Sequence, residues 1–172
     1  TLGLMISLAR GICDHDKYIK NGEWENPVEP YISMRGVELR GKTLGIIGLG
    51  SIGRIVARLG RAFGMRVLAY DPWVGAKGSS KGGALLGTLE EVVQGADFLS
   101  VHASNSPDTV GLLDRRCLSL MKPGAYILNT AAYSIIEEAA LVEGLQSGRI
   151  AGAALDVHRT HPITPTSPLL KL

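Results

Sequence analysis

A chain that runs Thr43-Leu44-Gly45-Ile46-Ile47 straight into Gly48-Leu49-Gly50-Ser51-Ile52-Gly53 has few folds open to it. The apolar run reads as a buried strand, and a helical pattern begins where the glycines end. Gly48 lets the backbone turn sharply out of the strand. Gly50 has no Cβ, so a pyrophosphate can approach the backbone closely. Gly53 lets the new helix pack tightly on the sheet, and the helix N-terminus offers N–H groups and a partial positive charge to phosphates. Val67-Leu68-Ala69-Tyr70 reads as a second strand, and Asp71 ends it 18 residues after Gly53. An acid there accepts from both ribose hydroxyls of an adenosine. A glycine-rich turn alone would say little; strand, turn, helix, strand and acid in this order describe a dinucleotide-binding unit.

The rest of the chain agrees. Its 172 residues make one domain, long enough to bury roughly 70% of the unfolded surface. Apolar content of 45% with 22 glycines suits a buried parallel sheet with tight turns. A net charge of +2 without any block of like charge argues against nucleic acid or a membrane surface as partner. No apolar run approaches the ~20 residues of a membrane span. Cys13 and Cys117 are far apart and form no Cys-x-x-Cys, which reads as two buried thiols in a reducing, cytoplasmic setting, not a metal site or disulfide framework. His15, His102, His158 and His161 show no paired spacing, so no metal site is expected. The first residue is Thr1, not Met, so the lack of a leader carries no weight.

Leu2, Met5, Ile6, Ala9 and Ile12 predict a helix over 1–13 with one buried stripe. Asp14–Arg40, polar and holding Trp24, Pro27 and Pro30, reads as an irregular extended arm that either wraps a partner or is a solvated loop. Strands are expected at 44–48, 66–70, 84–86 (a short edge strand), 97–102, 125–129 and 150–156. The helix after the first strand is expected to bury Ile52, Val56, Leu59 and Phe63, leaving Arg54, Arg58 and Arg61 as a solvated face. Gly75–Gly83 reads as a flexible loop. Thr88-Leu89-Glu90-Glu91 is a capping box opening a helix to about Gly95. Further helices are expected at Asp114–Met121 and Glu137–Gln146, and the proline-rich 157–172 should lack regular structure. Strands alternating with helices imply an α/β fold: a doubly wound parallel sheet of the Rossmann type with six or seven strands. Its ligand belongs beyond the ends of strands 44–48 and 97–102, at the switch point. The organisation is then 1–40 helix and arm, 41–156 dinucleotide-binding domain, and 157–172 irregular segment.

Leu39-Arg40-Gly41-Lys42-Thr43-Leu44-Gly45-Ile46-Ile47-Gly48, the glycine motif and Ala69-Tyr70-Asp71-Pro72 resemble the D-isomer-specific 2-hydroxyacid dehydrogenases. So do Met121-Lys122-Pro123-Gly124-Ala125, Asn129-Thr130-Ala131 and Gly152-Ala153-Ala154-Leu155-Asp156-Val157. The resemblance runs across the chain and implies the family's NAD-binding domain, with a substrate domain built from sequence before and after it. It implies a homodimer joined through residues 1–40. It also implies NAD contacts from Gly48, Gly50, Ser51, Ile52 and Gly53 in the phosphate turn and from Asp71 on the adenine ribose. Ala103 and Thr109 would flank the cofactor, Thr130 and Ala131 would follow the fifth strand, and Asp156 would face the nicotinamide. An acid at 71 favours NAD over NADP, because a 2′-phosphate would meet a like charge.

The family's chemistry needs an arginine for the substrate carboxylate, a histidine for the hydroxyl proton and a glutamate to hold that histidine. The arginine position, after Asn-Thr-Ala, falls on Ala132, and the glutamate position falls on His161, before Pro162. The resemblance puts the catalytic histidine beyond Leu172. Alanine cannot grip a carboxylate, and a histidine beside another histidine supplies no fixed negative charge. Arg159 is close enough in sequence to be considered as a substitute. Tyr133 sits where the family has a small residue, either narrowing the substrate cleft or reflecting divergence alone. His102, at the end of the fourth strand, reads as a lining or structural residue. Two readings follow: the NAD-binding half of an oxidoreductase for a small 2-hydroxy or 2-keto acid, or an NAD-binding sensor or scaffold with impaired catalysis.

Overall fold

The computed structural model describes residues 1–74 and 80–172, and of Ser80 and Lys81 the backbone. Seven strands form one sheet: β1 (Thr43–Ile47), β2 (Arg66–Tyr70), β3 (Ser80–Lys81), β4 (Ala84–Leu86), β5 (Phe98–Val101), β6 (Ala125–Asn129) and β7 (Ile150–Leu155). The order is β3-β4-β2-β1-β5-β6-β7, with every neighbouring pair parallel except β3 with β4. The expected doubly wound sheet is therefore present, with six parallel strands and a two-residue antiparallel edge. That edge corrects one expectation: Ala84–Leu86 pairs on both sides, because a turn through Gly82 (φ 59°) and Gly83 (φ 85°) folds β3 back onto it. The loop predicted at 75–83 lies largely outside the described residues.

β1 sits at the centre, and all five of its residues are buried. A parallel strand covered on both faces needs apolar side chains pointing both ways. Leu44 and Ile46 pack into one layer with Met5 and Ala9 of α1 (Leu2–Arg10) and Val56 and Ala57 of α4 (Ser51–Ala62). Ile47 packs into the other, with Val92 and Val93 of α5 (Leu89–Gly95), Cys117 and Leu118 of α6 (Arg115–Ser119) and Leu141 of α7 (Glu138–Gln146). Thr88 and Glu91 make the anticipated capping box at the start of α5. Asp114 proves to be the N-cap of α6, its carboxylate accepting from Cys117 N–H at 2.7 Å.

α4 packs on a different face from the one hydropathy suggested. Gly53, Val56, Ala57 and Gly60 are buried, whereas Ile52 (62% accessible), Leu59 and Phe63 are exposed. The cause is how near the helix comes to the sheet. A Cβ on Gly60 would lie 2.7 Å from Leu44 Cδ2, and one on Gly53 only 2.1 Å from Gly48 O. Small residues face the sheet, and the large ones are turned away.

The N-terminal region also departs from expectation. α1 ends at Gly11, whose left-handed conformation (φ 58°) redirects the chain into α2 (Ile12–Lys20). An Asp16–Lys20 ion pair at 2.7 Å spans one turn of α2. A short α3 (Glu29–Ser33) follows, so two helices interrupt an arm anticipated to be irregular, and the rest of it is irregular. The arm closes at its root, where Val37 N–H donates to Ala9 O at 2.6 Å. After β7 the chain is irregular as predicted, apart from a 3-10 turn at Pro168–Lys171.

At the amino end of the sheet, Asp97 joins β1 to the segment before β6. Its carboxylate accepts from Thr43 N–H at 2.7 Å and from Lys122 Nζ at 2.9 Å. Burial works against the charged form, but the Thr43 N–H and the Lys122 ammonium outweigh it and hold the carboxyl below its ordinary value. A depressed acid stabilises the fold above the unfolded-state pKa, and that contribution is lost as pH falls through the lowered value. Asp97→Asn is expected to cost about 1 kcal/mol at pH 7 in urea unfolding, with the gap to wild type closing below about pH 3.8, the ordinary value. A gap independent of pH would contradict this role.

A candidate dinucleotide crevice at the switch point

The sheet reverses direction of construction at β1, which has β2 on one side and β5 on the other. The chain leaves the carboxyl end of β1 through Gly48, at φ 94°. Gly48 N–H donates to Tyr70 O (2.8 Å), and His102 N–H to Ile47 O (2.7 Å), so the loops after β1, β2 and β5 meet here. A Cβ on Gly48 would lie 2.5 Å from Ala103 N, so backbone presses on backbone. Gly50, by contrast, faces open space with nothing within 4 Å of its Cβ position. It is also the N-cap of α4, without a side-chain cap. The first backbone bond there runs from Arg54 N–H to Gly50 O at 3.1 Å, which leaves the N–H groups of Ser51, Ile52 and Gly53 ahead of the helical ladder.

Asp71 stands beside this turn and is tied to it. Its carboxylate accepts from Leu49 N–H at 2.8 Å and from Trp73 N–H at 2.9 Å. Each oxygen keeps a further lone pair, so the half-buried carboxylate can still accept from a diol. The glycine turn and the acid beside it are thus one bonded unit.

The remaining predicted residues lie along the same carboxyl edge. Ala103 follows β5. Thr109 closes the loop after it: its hydroxyl donates to Ser104 O at 2.7 Å and accepts from Ser106 N–H at 2.9 Å. Thr130 and Ala131 follow β6, and exposed Asp156 follows β7. Two positioning residues, Asn129 and Ser100, escaped the sequence reading, whereas His102 was singled out there as a lining or structural residue. Buried Asn129 accepts from Ala131 N–H (3.0 Å) and donates through Nδ2 to Ala132 O (2.8 Å), which shapes the turn at the end of β6. Buried Ser100 and half-buried His102 share a hydrogen bond at 2.8 Å between Oγ and Nε2. Burial pushes the His102 imidazole down to about 4, so it is neutral near pH 7. Their spacing of two along a strand, which puts both on one face, was the available signal.

At the two positions where the resemblance placed charged groups, the structure has none to offer. Ala132 is half-buried ahead of a 3-10 turn at Tyr133–Ile135, and Tyr133 is exposed. His161 is exposed, with its ring 6.2 Å from that of His158. Arg159 lines a cavity of about 210 Å³ together with Glu138 and His158. A larger cavity, about 770 Å³, lies elsewhere, between α1 and β7. Among the described residues no His, Cys, Asp and Glu side chains gather in a group able to hold a metal ion, and no helix is long and apolar enough to cross a membrane.

Comparison with known proteins meets this geometry directly. The sequence model of the NAD binding domain of D-isomer specific 2-hydroxyacid dehydrogenases matches residues 2–172. The chain belongs to this family. It is 39% identical over 171 residues to a D-3-phosphoglycerate dehydrogenase of Archaeoglobus fulgidus, covering 99% of this chain and 32% of that protein. A D-3-phosphoglycerate dehydrogenase of Bacillus subtilis is 41% identical over 162 residues, covering 94% and 30%. The chain thus spans about a third of the length of these relatives. Among solved structures, D-mandelate dehydrogenase of Rhodotorula graminis superposes with a TM-score of 0.87 at 32% identity, covering 99% of this chain and 51% of that one. An acyclic imino acid reductase solved with NADPH and D-Arg gives 0.87 at 31%, covering 99% and 52%.

The residues present fit the cofactor this domain family is built for. Gly50 leaves room for a diphosphate, three backbone N–H groups face it, and Asp71 stands ready for a diol. The two glycines should separate in experiment. Gly48→Ala is expected to destabilise the domain by about 2–4 kcal/mol in urea unfolding, since its φ and its neighbours both forbid a side chain. Gly50→Val is expected to change stability by less than about 1 kcal/mol while weakening NAD binding at least roughly tenfold in calorimetry. Equal effects on stability would refute the division.

Proposed function

We propose that this domain holds NAD, in preference to NADP, for an oxidoreductase that interconverts a small 2-hydroxy acid and its 2-keto acid. The observation that carries the reading is Asp71, a carboxylate held by the Leu49 N–H of the phosphate turn. A 2′-phosphate would bring like charge against it in a partly desolvated place. The imino acid reductase has the same fold and was solved with NADPH, so the choice of cofactor rests on this acid and not on the fold. In this reading Ser51, Ile52 and Gly53 donate to the diphosphate, and Ala103, Thr109, Thr130, Ala131 and Asp156 line the path to the nicotinamide. When bound, the nicotinamide supplies or accepts the hydride at the substrate's C2.

The chain's own contribution to substrate chemistry is reduced. Ala132 holds no carboxylate, and His161 cannot fix or polarise a partner histidine as an anion would. Losing charge-assisted hydrogen bonds of roughly 1.5–3 kcal/mol each slows turnover by orders of magnitude. These two positions favour a second reading, an NAD-binding sensor or scaffold with residual catalysis. Partner and place follow the same reading: a homodimer joined through residues 1–40, and a cytoplasmic setting in keeping with Cys13 and Cys117 as free thiols, Cys117 buried as expected and Cys13 exposed because α2 packs against nothing that buries it.

Two measurements test this. Calorimetric titration is expected to give NAD an affinity at least roughly tenfold above NADP, and Asp71→Ser should remove most of that preference; equal affinities in the wild type would refute it. In a full-length protein, Ala132→Arg with His161→Glu is expected to raise 2-keto-acid reduction at least roughly a hundredfold. A gain of that size would mark a decayed 2-hydroxyacid site, and no gain would favour another chemistry.

A further inference from the structure

The pocket of about 210 Å³ lies between the segment after β7 and the start of α7. Neither Ala132 nor His161, nor any residue assigned above to the dinucleotide, lines it. Among the residues that do, Arg159 brings the one guanidinium and Glu138 the one carboxylate, and Thr160, Thr164, Thr166 and Ser167 add hydroxyls. Ser167 is only 9% accessible. Its N–H donates to Thr164 O at 2.9 Å, and its carbonyl accepts from Leu170 N–H at 3.2 Å. Its hydroxyl has no hydrogen-bond partner among the described residues. A hydroxyl held so deep on a pocket wall without a partner destabilises the fold unless something in the pocket bonds to it.

α7 begins beside this pocket without a side-chain cap. The carboxylate of its N-cap, Glu137, is taken up elsewhere and accepts from Arg115 N–H at 3.0 Å. The helical ladder starts with Leu141 N–H on Glu137 O at 3.0 Å, which leaves the N–H groups of Glu138, Ala139 and Ala140 ahead of it. The nine residues of α7 add partial positive charge at this end. Among the described residues Arg159 is in no ion pair, so its fork of N–H donors is uncommitted.

We propose that this pocket is a second ligand site, for a small carboxylate that bears a hydrogen-bond donor on the neighbouring carbon, as 2-hydroxy acids and 2-amino acids do. The ligand's carboxylate accepts from the Arg159 fork and from the Ser167 hydroxyl. The neighbouring hydroxyl or ammonium donates to Glu138. Charge and size set this class. The wall opposes one guanidinium to one carboxylate, so a dianion is repelled by Glu138, and an acid without a donor leaves Glu138 unmatched. The volume is below the roughly 300 Å³ at which pockets begin to take drug-sized ligands, so the ligand has few heavy atoms. The site is independent of the cofactor reading, because a ligand here touches neither the glycine turn nor Asp71.

Glycolate and glycine, titrated separately into the 15N-labelled chain without cofactor, test the site. Both are expected to shift the amides of residues 138–141 and 159–167, with dissociation constants on the order of millimolar. Gly48 to Gly53 should stay unmoved. The tighter of the two identifies the donor as hydroxyl or ammonium. Acetate and inorganic phosphate are expected to bind at least roughly fivefold more weakly than the tighter acid. Arg159→Met is expected to weaken binding at least roughly tenfold, Arg159→Lys less than that, and Ser167→Ala roughly threefold. All three variants should keep the wild-type affinity for NAD, and unchanged resonances away from the pocket should show them folded. Three results would overturn the site: no shift at these amides with either acid up to roughly 50 mM, phosphate binding as tightly as both acids, or wild-type binding by both Arg159→Met and Ser167→Ala. Each would leave the NAD reading intact, which the glycine turn alone tests.

Discussion

The contact of Gly48 with the Ala103 backbone governs this domain. A Cβ on Gly48 would lie 2.5 Å from that amide nitrogen, and at φ 94° only glycine fits without strain. Because it does, the chain turns out of β1 within one residue, and Leu49 N–H swings toward Asp71. α4 then starts with its first N–H groups facing the crevice, while Gly53 seats the helix against the same turn. Removing the first contact would displace the acid and the helix together. On the proposed reading, cofactor recognition is a property of packed backbone, with side chains added at the margin.

What could be read in advance divides along physical lines. Features written in adjacent residues were legible: the glycine turn, the Thr88–Glu91 box, the strand ending in Asp71, and the parallel order that alternation implies. Features that depend on approach distance were not. Hydropathy periodicity assigns Ile52, Leu59 and Phe63 to a core, but Gly53 and Gly60 bring the helix so close to the sheet that large side chains fit only on its outside. The arm's helices were missed because they bury nothing within the chain, leaving no apolar stripe strong enough to outweigh their polarity. Asn129 and the Ser100–His102 pair needed strand register to be noticed.

The site's two halves differ in how complete they are. The residues expected to hold the dinucleotide lie along one edge of the sheet. The substrate side lacks the guanidinium and carboxylate that the resemblance implied, and Ala132 and His161 bring no equivalent charge. A domain can keep its cofactor after losing substrate contacts, because the first rests on backbone geometry and the second on single side chains.

The central claim is that the backbone from Leu49 to Gly53, with Asp71, is where the dinucleotide binds. Titrating NAD into the 15N-labelled chain and following its amide resonances addresses this most directly. The largest shifts are expected at Leu49 to Arg54 and at Asp71 to Trp73. Shifts gathered instead around the 770 Å³ cavity between α1 and β7, with the glycine turn unmoved, would contradict the account.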